Sequence, residues 1–335
     1  MRSTYPETTP FTIVVSVNNK NGSETVIEAI DLTKTFHGLE RPAVDHLNLT
    51  IKSGQLYGLV GPDGAGKTTL LRMISSVLQP NGGSVHLMGF DAFKESKKIW
   101  QLIGYMPQNF SLYPDLSVLQ NLEFFADMQG LSAERKHKRI PEMLEFTRLT
   151  EFTQRRAGAL SGGMKKKLAL ACALVHEPKV LILDEPSTGV DPVSRRELWV
   201  ILAQVIQLGV SVLVSTPYMD EAERCHEVAM LYQGHILDRG TPNELKAKLP
   251  YEVIEAKSNS RKGTRSIAGE LPGIVSWRPV GDQLRLLVDR GHSDEMIENI
   301  DRSMKERGLE VKHLRKAHLM MEDVFVYMVE KEENR

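Results

Sequence analysis

A glycine-rich segment between an apolar run and a helical pattern is the feature that most restricts how this chain folds. Residues 61–68 read G-P-D-G-A-G-K-T and match G-x-x-x-x-G-K-[ST] at every fixed position. Glycines let consecutive backbone N–H groups turn inward around an anion, and a following helix directs its positive N-terminal end at the same anion. Leu56–Val60 before the segment is a short apolar strand pattern, and a helix is predicted over Thr68–Leu78. This context predicts a phosphate-binding loop in an α/β domain.

The polar residues of this loop predict nucleotide and metal binding. Lys67 can reach the β- and γ-phosphates of a nucleotide, and the Thr68 hydroxyl can bind Mg²⁺. Asp63 stands where an uncharged polar residue is common, and we expect its side chain to point away from the phosphates because a loop residue need not face the ligand. The predicted nucleotide-binding loop consists of Gly61, Pro62, Asp63, Gly64, Ala65, Gly66, Lys67, Thr68 and Thr69.

A second apolar run, Val180–Leu183, ends in two acidic residues, Asp184 and Glu185. In open α/β sheets, ligands bind at the carboxyl ends of the strands. Asp184 suits the Mg²⁺ shell, directly or through water, and Glu185 suits the general base that deprotonates the attacking water. Two acids can also simply end a strand, but together with the glycine-rich loop they predict nucleoside triphosphate hydrolysis.

Strand and helix patterns alternate along residues 26–248, which predicts a mostly parallel α/β sheet. Residues 100–175 contain several helical patterns, including Asn121–Gln129 and Ala133–Arg148, and form a predicted helical subdomain. Residues 1–25 are predicted to be an N-terminal extension with one short strand at Phe11–Val17.

The pattern changes in residues 249–335. It reads strand, helix, strand, strand, helix, strand, which predicts a small ferredoxin-like α+β accessory domain. Residues 257–266 are expected to be a solvated connector, followed by a short helix over Ser266–Leu271. A terminal helix is predicted over Met320–Val329.

Composition excludes several classes of protein. The 335 residues carry 42 Lys and Arg against 43 Asp and Glu, which argues against a dedicated nucleic-acid binder. The two cysteines, Cys172 and Cys225, lie far apart, so we expect a reducing compartment and no disulfide framework. No run approaches the roughly 18–20 apolar residues that span a bilayer, so the chain is expected neither to cross a membrane nor to be secreted.

Residues Leu160–Lys165 read L-S-G-G-M-K. Together with the glycine-rich loop and the I-L-D-E-P strand, they make the chain similar to the ATP-binding subunits of ABC transporters. The resemblance implies a P-loop NTPase core, that is, a RecA-like parallel sheet with helical and antiparallel β subdomains, and it implies ATP and Mg²⁺ as ligands. By the same resemblance, Gln108 in Y-M-P-Q-N is a Mg²⁺-sensing catalytic glutamine, and Asp191 ends the D-loop. Phe36 either stacks on adenine or is a core residue.

Ser161, Gly162 and Gly163 precede a lysine-rich helix, which predicts a second anion site at a helix N-terminus. The resemblance implies that this signature segment acts in trans. Each ATP would then lie between the glycine-rich loop of one subunit and the signature of the other, in a head-to-tail dimer. The lysines at 165–167 are expected to form a solvated helix face rather than a nucleic-acid site.

The segments at 115–126, 189–199 and 218–225 resemble drug- or polymer-exporting systems of this family. The resemblance implies an integral-membrane permease, a second ATPase subunit in a homodimer or heterodimer, and a periplasmic adaptor as a further partner. It places the chain peripherally on the cytoplasmic side of the inner membrane. The permease contact is expected within residues 109–130, with the apolar residues Phe110, Leu112, Tyr113 and Phe125.

One position departs from the family pattern. The resemblance places Pro217 where the family has a switch histidine that contacts the γ-phosphate. Proline has neither a side-chain donor nor a backbone N–H. Thr216 or Tyr218 can supply a hydroxyl but no imidazolium, and His226 is expected on the surface of the following helix.

Three functions therefore remain open. The chain is an active ATPase with an altered γ-phosphate contact, which the presence of Glu185 favours. Alternatively, it is an impaired or regulatory subunit that pairs with an intact partner. The third alternative is a soluble ABC ATPase acting on nucleic acid or ribosomes, but the second cassette, coiled coils or zinc-binding cysteines usual in such proteins are not evident in the sequence.

Overall fold

The computed structural model describes residues 24–109 and 112–333. The strand predicted at Phe11–Val17, most of the predicted extension, and Phe110 lie outside the described residues. The chain divides into two compact units between Arg239 and Gly240, slightly before the boundary predicted at residue 248.

A six-stranded sheet forms the centre of the first unit. Its order is β10 (His235–Gly240), β9 (Glu227–Tyr232), β3 (Leu56–Val60), β8 (Ser211–Thr216), β7 (Val180–Asp184) and β6 (Ile103–Met106). The pairs from β9 to β6 are all parallel. Every residue of β3, β7 and β8 is buried, as expected for parallel strands covered on both faces.

A four-stranded antiparallel sheet packs against the same core. Its order is β2 (Val44–Lys52), β1 (Thr25–Lys34), β4 (Gly82–Leu87) and β5 (Phe90–Asp91). Helix α1 (Lys67–Ile74) contributes Leu70, Leu71, Met73 and Ile74 to this core. It is shorter than predicted because Ser76 adopts a positive φ of 64°, and the N–H groups of Val77 and Leu78 both turn back to the Arg72 carbonyl.

Helices make up most of the region from residue 96 to residue 174. They are α2 (Ser96–Leu102), α3 (Val118–Met128), α4 (Ala133–Phe146) and α5 (Gly162–Leu174), with short 3₁₀ turns at Thr150–Phe152 and Ala157–Ala159. Serines at 117, 132 and 161 cap α3, α4 and α5 by accepting a backbone hydrogen bond, which explains where these helices start. Strand β6 lies within the predicted helical subdomain but belongs to the central sheet.

Two further helices follow β7 and β8. They are α6 (Pro192–Gln207) and α7 (Met219–Ala222). The prediction that His226 lies on a helix is wrong, since α7 is a single turn that ends before it. His226 is exposed and pairs with the start of β3, where its Nδ1 accepts a hydrogen bond from the Leu56 N–H at 3.0 Å.

The second unit is a small α+β unit. Its elements are α8 (Pro242–Ala247), β11 (Tyr251–Ser258), α9 (Arg261–Glu270), β12 (Ile274–Val280), β13 (Gln283–Asp289), α10 (Ser293–Glu306), β14 (Val311–Ala317) and α11 (Met321–Glu333). The four strands form an antiparallel sheet in the order β12-β13-β11-β14. Residues of α9 and α10, such as Ile267 and Ile300, pack on Ile254 and Leu286 of this sheet.

The connector predicted at residues 257–266 is wrong. Strand β11 runs to Ser258, and α9 begins at Arg261. Ser260 caps this helix by accepting the Gly263 N–H at 3.1 Å, and Thr264 and Ile267 are buried. The helix is therefore stabilised by packing of one face, which the polar local composition conceals.

Buried charges link the strands of the second unit to its last helix. Arg285, which is 2% exposed, donates to Glu255 Oε1 at 2.7 Å and to Asp323 Oδ2 at 2.9 Å. It also donates to the His318 carbonyl at 2.6 Å. Since a buried charge is costly without partners, this network fixes α11 to strands β11 and β13.

Replacement of this arginine should destabilise the second unit. We expect Arg285→Met to cost about 3 kcal/mol in the free energy of unfolding, because two buried carboxylates lose a partner. Arg307→Met, which removes an exposed ion pair to Glu270 and an exposed hydrogen bond to Ser266, should cost about 1 kcal/mol or less. Denaturant unfolding measures both, and equal losses would contradict the role given to the buried network.

Candidate functional site

The register of the parallel sheet brings the predicted functional residues to one edge. Val60 of β3 lies opposite Thr216 of β8, and Asp184 of β7 lies opposite Ser215 of β8. The residues that follow these strands therefore leave the sheet side by side. They are the start of the glycine-rich loop, Glu185, and Pro217.

The glycines of the loop are required by its geometry. Gly64 and Gly66 have φ values of 79° and 103°, in the left-handed region that favours glycine. A Cβ on Gly61 would lie 2.1 Å from the Leu231 carbonyl oxygen, and one on Gly66 would lie 2.2 Å from the Ala43 carbonyl oxygen. Helix α1 begins directly after Gly66, so its N-terminus opens onto the loop. This is the strand–loop–helix geometry of an anion site.

Other loop residues differ in exposure. Asp63 is exposed, Ala65 is buried, and Pro62 and Thr69 are partly buried. The orientation of Asp63 away from a bound phosphate stays a prediction.

Lys67 crosses this loop as a buried cation. Its side chain is 4% exposed, and its Nζ donates to the carbonyls of Gly61 at 2.8 Å and Pro62 at 2.9 Å. The same Nζ lies 3.3 Å from Glu185 Oε1. A buried positive charge within the loop favours an anionic ligand.

Glu185 is held by several donors at the edge of the sheet. Its Oε2 accepts hydrogen bonds from Gln108 Nε2 at 2.9 Å and from Thr188 Oγ1 at 3.2 Å. Its φ of 46° is unusual for a residue other than glycine, and such backbone strain is concentrated at functional sites. The structure thus joins Gln108 and Glu185, which the sequence separates widely, in one hydrogen-bonded group.

Asp184 provides oxygen atoms suited to a metal ion. Its Oδ1 accepts from Thr68 Oγ1 at 3.1 Å and from Ser215 Oγ at 2.7 Å. Its Oδ2 is buried and has no protein hydrogen-bond partner. A carboxylate with a free buried oxygen beside a hydroxyl matches the hard oxygen ligands that Mg²⁺ prefers. The residues present therefore fit the predicted ion.

Two residues of the site were absent from the sequence predictions. Ser215 donates to Asp184, and its Oγ also accepts the Glu185 N–H at 3.0 Å. Thr188 contacts the Glu185 carboxylate. A polar residue directly after the apolar Val212–Val214 of β8 was a signal for Ser215, but the contact itself depends on strand register.

The lysines at 165–167 differ from the predicted solvated face. Lys165 is exposed, but Lys166 is half-buried and donates to the Gln108 carbonyl at 3.2 Å, while Lys167 is buried and paired with Glu197. Burial lowers the pKa of the Lys166 amine, and the carboxylates of Asp184 and Glu185 only partly offset this effect. Two of the three lysines are therefore internal contacts of the fold.

The signature residues pack against the start of α6. Ser161 Oγ accepts the Met164 N–H at 3.3 Å, and Gly162 is exposed. A Cβ on Gly163 would lie 2.3 Å from Ser194 Oγ, so the two helix ends approach closely. Asp191 caps α6 by accepting the N–H groups of residues 193 and 194, and hydrogen bonds from Ser194 hold its pKa below the ordinary value. A nucleotide contact by these residues stays a prediction.

Phe36 is 41% exposed and is therefore not a core residue. Lys34 Nζ lies 5.4 Å from the centroid of its ring. The Ala43 N–H donates to the Lys34 carbonyl, and the Ala43 carbonyl abuts Gly66, so this turn borders the loop. Adenine stacking on Phe36 stays a prediction.

In the described ranges, no helix combines the length and apolar character needed to span a membrane.

The comparisons with known proteins agree with the geometry. The sequence pattern of the ABC transporter family matches residues 44–188. The probable multidrug ABC transporter ATP-binding protein YbhF of Escherichia coli K12 is 43% identical over 282 residues, which are 83% of this chain and 49% of that protein. This chain thus spans about half the length of that relative.

A second relative covers the chain more completely. The daunorubicin resistance ATP-binding protein DrrA3 of Streptomyces coeruleorubidus is 32% identical over 296 residues, which are 86% of this chain and 92% of that protein. Among solved structures, the dimeric post-hydrolysis state of the ATP-binding cassette MJ0796 with ADP and phosphate matches with a TM-score of 0.59. It shows 26% identity and covers 64% of this chain and 98% of that chain. The predicted P-loop NTPase core with a small C-terminal α+β unit is confirmed, and the chain belongs to the family of ABC transporter ATP-binding proteins.

Proposed function

We propose that this protein is the ATP-binding subunit of an exporter. It would hydrolyse ATP at the interface of two such subunits and drive transport through a separate membrane permease. The convergence of Lys67, Asp184 and Glu185 at one sheet edge carries the proposal. The names of two relatives, a probable multidrug transporter protein and a daunorubicin resistance protein, support export as its direction.

Each residue of the site has a distinct chemical task in this proposal. Lys67 would exchange its two carbonyl partners for phosphate oxygens and neutralise their charge. Glu185 would accept the proton of the attacking water, while Gln108 and Thr188 hold its carboxylate in place. Mg²⁺, when bound with the nucleotide, would be held by Asp184 and Thr68 and would neutralise charge on the phosphates.

The second half of each site would come from another subunit. Ser161 and Gly162 are exposed at the N-terminus of α5, where backbone N–H groups can face an anion. The dimeric state of MJ0796 supports pairing of two cassettes. Whether the partner is a second copy or a related subunit does not alter the chemistry of the site.

A cavity beside Gln108 is the proposed contact for the permease. It measures about 370 Å³, and its lining includes Gln108, Leu112, Pro114 and Gly158. Tyr113 nearby in the chain is 45% exposed and packs edge-to-face on Phe124 at 4.6 Å. Because Gln108 both lines the cavity and donates to Glu185, a partner in the cavity can act on the general base through one residue.

In this proposal, the protein lies peripherally at the cytoplasmic face of the inner membrane, and a periplasmic adaptor is a further partner of the export system.

The second candidate function is that of a catalytically impaired subunit that lends its signature segment to an intact partner. The specific observation in its favour is Pro217, at the position where the resemblance places a histidine.

Removal of the general base should stop hydrolysis but not binding. In the presence of its permease, wild-type protein should release phosphate from ATP, and Glu185→Gln should be slower by at least about 100-fold because no base accepts the proton. ATP affinity should be retained. Absence of phosphate release by the wild type, or an unchanged rate in Glu185→Gln, would contradict the proposal.

Introduction of the missing donor should accelerate the enzyme. We expect Pro217→His to raise the rate of phosphate release by about tenfold or more, since one added donor to developing charge is worth at least that factor. The measurement is steady-state hydrolysis beside wild type. Turnover by Pro217→His alone, with none by wild type, would establish the impaired-subunit candidate instead.

ATP-dependent pairing of two subunits should need both the glycine-rich loop with Lys67 and the signature segment with Ser161. In a Glu185→Gln background, ATP should produce dimers measurable by light scattering, and Lys67→Ala or Ser161→Arg should abolish them. Ser132→Arg is the matched control, because Ser132 caps α4 with the same 3.3 Å hydrogen bond as Ser161 caps α5. Dimers that persist in Lys67→Ala or Ser161→Arg would rule out the shared site.

A further inference from the structure

The end of strand β8 contacts three parts of the site, namely Asp184, Glu185 and the first glycine of the loop. Ser215 Oγ donates to Asp184 Oδ1 at 2.7 Å and accepts the Glu185 N–H at 3.0 Å. The Thr216 carbonyl accepts the Gly61 N–H at 3.4 Å. Two consecutive residues thus hold the metal-binding acid, the general base and the first glycine of the loop. The position of this strand end therefore sets the distances between those three parts.

A buried carboxylate holds the same strand end from its other side. Successive side chains of a strand point to opposite faces, so Ser215 faces Asp184 while Thr216 faces away from it. There, Thr216 Oγ1 donates to Glu221 Oε2 at 2.5 Å. Glu221 is 0% exposed.

Helix α6 supplies the other partners of Glu221. Its Oε1 accepts from Arg195 Nε at 2.7 Å and from Trp199 Nε1 at 3.0 Å. A buried carboxylate that lost these donors would be strongly destabilised, so its position is fixed by the helix. Glu221 therefore joins the end of β8 to α6.

Pro217 lies between two residues that this network holds. Thr216 Oγ1 accepts the Tyr218 N–H at 3.1 Å, and the Tyr218 ring lies 4.5 Å from the Arg195 guanidinium carbon. The Thr216 hydroxyl is thus already engaged by Glu221 and Tyr218, which argues against its use as a substitute for the missing histidine. The segment keeps its place without any donor from residue 217.

We propose that Glu221 is a positioning residue for hydrolysis. Acting through the Thr216 hydroxyl, it holds the end of β8 and, with it, the Ser215 contacts to Asp184 and Glu185. This role rests on the proposed function, since it concerns the geometry of the hydrolytic groups. Nucleotide binding depends instead on the glycine-rich loop and Lys67. The Gly61 N–H donates to the backbone carbonyl of Thr216, which a side-chain substitution at Thr216 or Glu221 leaves in place.

Two substitutions of Thr216 separate positioning from packing. Thr216→Val keeps the shape of the side chain but removes the hydroxyl, whereas Thr216→Ser keeps the hydroxyl. We expect Thr216→Val to lower kcat by about tenfold, the effect of losing one hydrogen bond to a charged group, while KM for ATP changes by less than about threefold. Thr216→Ser should stay within about twofold of wild type. Equal rates for the two variants, or a loss confined to KM, would overturn the inference.

Substitutions of two adjacent acidic residues, Asp220 and Glu221, provide a second matched pair of variants. Glu221 and Asp220 both contact Arg195, but the Asp220 side chain is 62% exposed. Glu221→Gln should lower kcat by about tenfold or more, and Asp220→Asn should leave it within about twofold. Equal effects on kcat would overturn the inference. Thermal unfolding of each variant identifies any loss of fold. If Glu221→Gln does not fold, the comparison of Thr216→Val with Thr216→Ser decides the inference.

Hydrogen exchange tests the same role without turnover. In Thr216→Val, amides of Val180–Thr188 and Ser211–Met219 should exchange faster than in Thr216→Ser, because the strand end is released. Indistinguishable exchange would overturn the inference even if the enzyme is active. A wild type that releases no phosphate would contradict the proposed function alone, and the exchange comparison would still decide the role of Glu221.

Discussion

The parallel register of β3, β7 and β8 is the constraint on which the rest of the site depends. It sets Val60 beside Thr216 and Asp184 beside Ser215, so that three distant stretches of chain end at one edge. All residues of these strands are buried, which fixes the register through packing on both faces. Loop geometry, the acidic pair and the segment around Pro217 all follow from where these strands stop.

Charges of opposite sign are paired at this edge of the sheet. Lys67 is almost fully buried, and Glu185, at 4% exposure, lies against it. Buried charges persist in folded proteins when they are paired and hydrogen-bonded, and here backbone carbonyls and the Gln108 amide complete the set. In the proposed function, Lys67 exchanges its carbonyl partners for a polyanionic ligand. The two carboxylates are already held by Gln108 and Ser215, which is the preorganisation that electrostatic stabilisation of a transition state requires.

The effect of Pro217, which the resemblance places at the position of a histidine, is local. Proline supplies no donor, but the neighbouring residues are held through Glu221 to α6. That helix begins at Pro192, directly after its cap Asp191, and lies beside the signature segment. The segment around Pro217 and the predicted subunit interface therefore share one rigid helix, which gives a physical route by which pairing of subunits can affect the hydrolytic groups.

Local sequence determined the loop, the acidic strand end and most element types, because glycine conformation, apolar runs and capping serines act over a few residues. The first turns of helix α9, which were predicted to be a connector, were missed for the opposite reason, since their polar sequence is stabilised as a helix by a buried face that includes Thr264 and Ile267. Helix α1 ended early because of a turn at Ser76 that no periodicity shows.

The contacts within the site were decided by the tertiary structure. The sequence by itself predicted Lys67, Thr68, Asp184 and Glu185 as site residues, since each belongs to a motif whose chemistry depends on adjacent residues. It did not identify Ser215, Thr188 or Glu221, nor the burial of Lys166 and Lys167. These roles depend on strand register and helix packing between residues far apart in the chain, and such distances are set only when the whole sheet has formed.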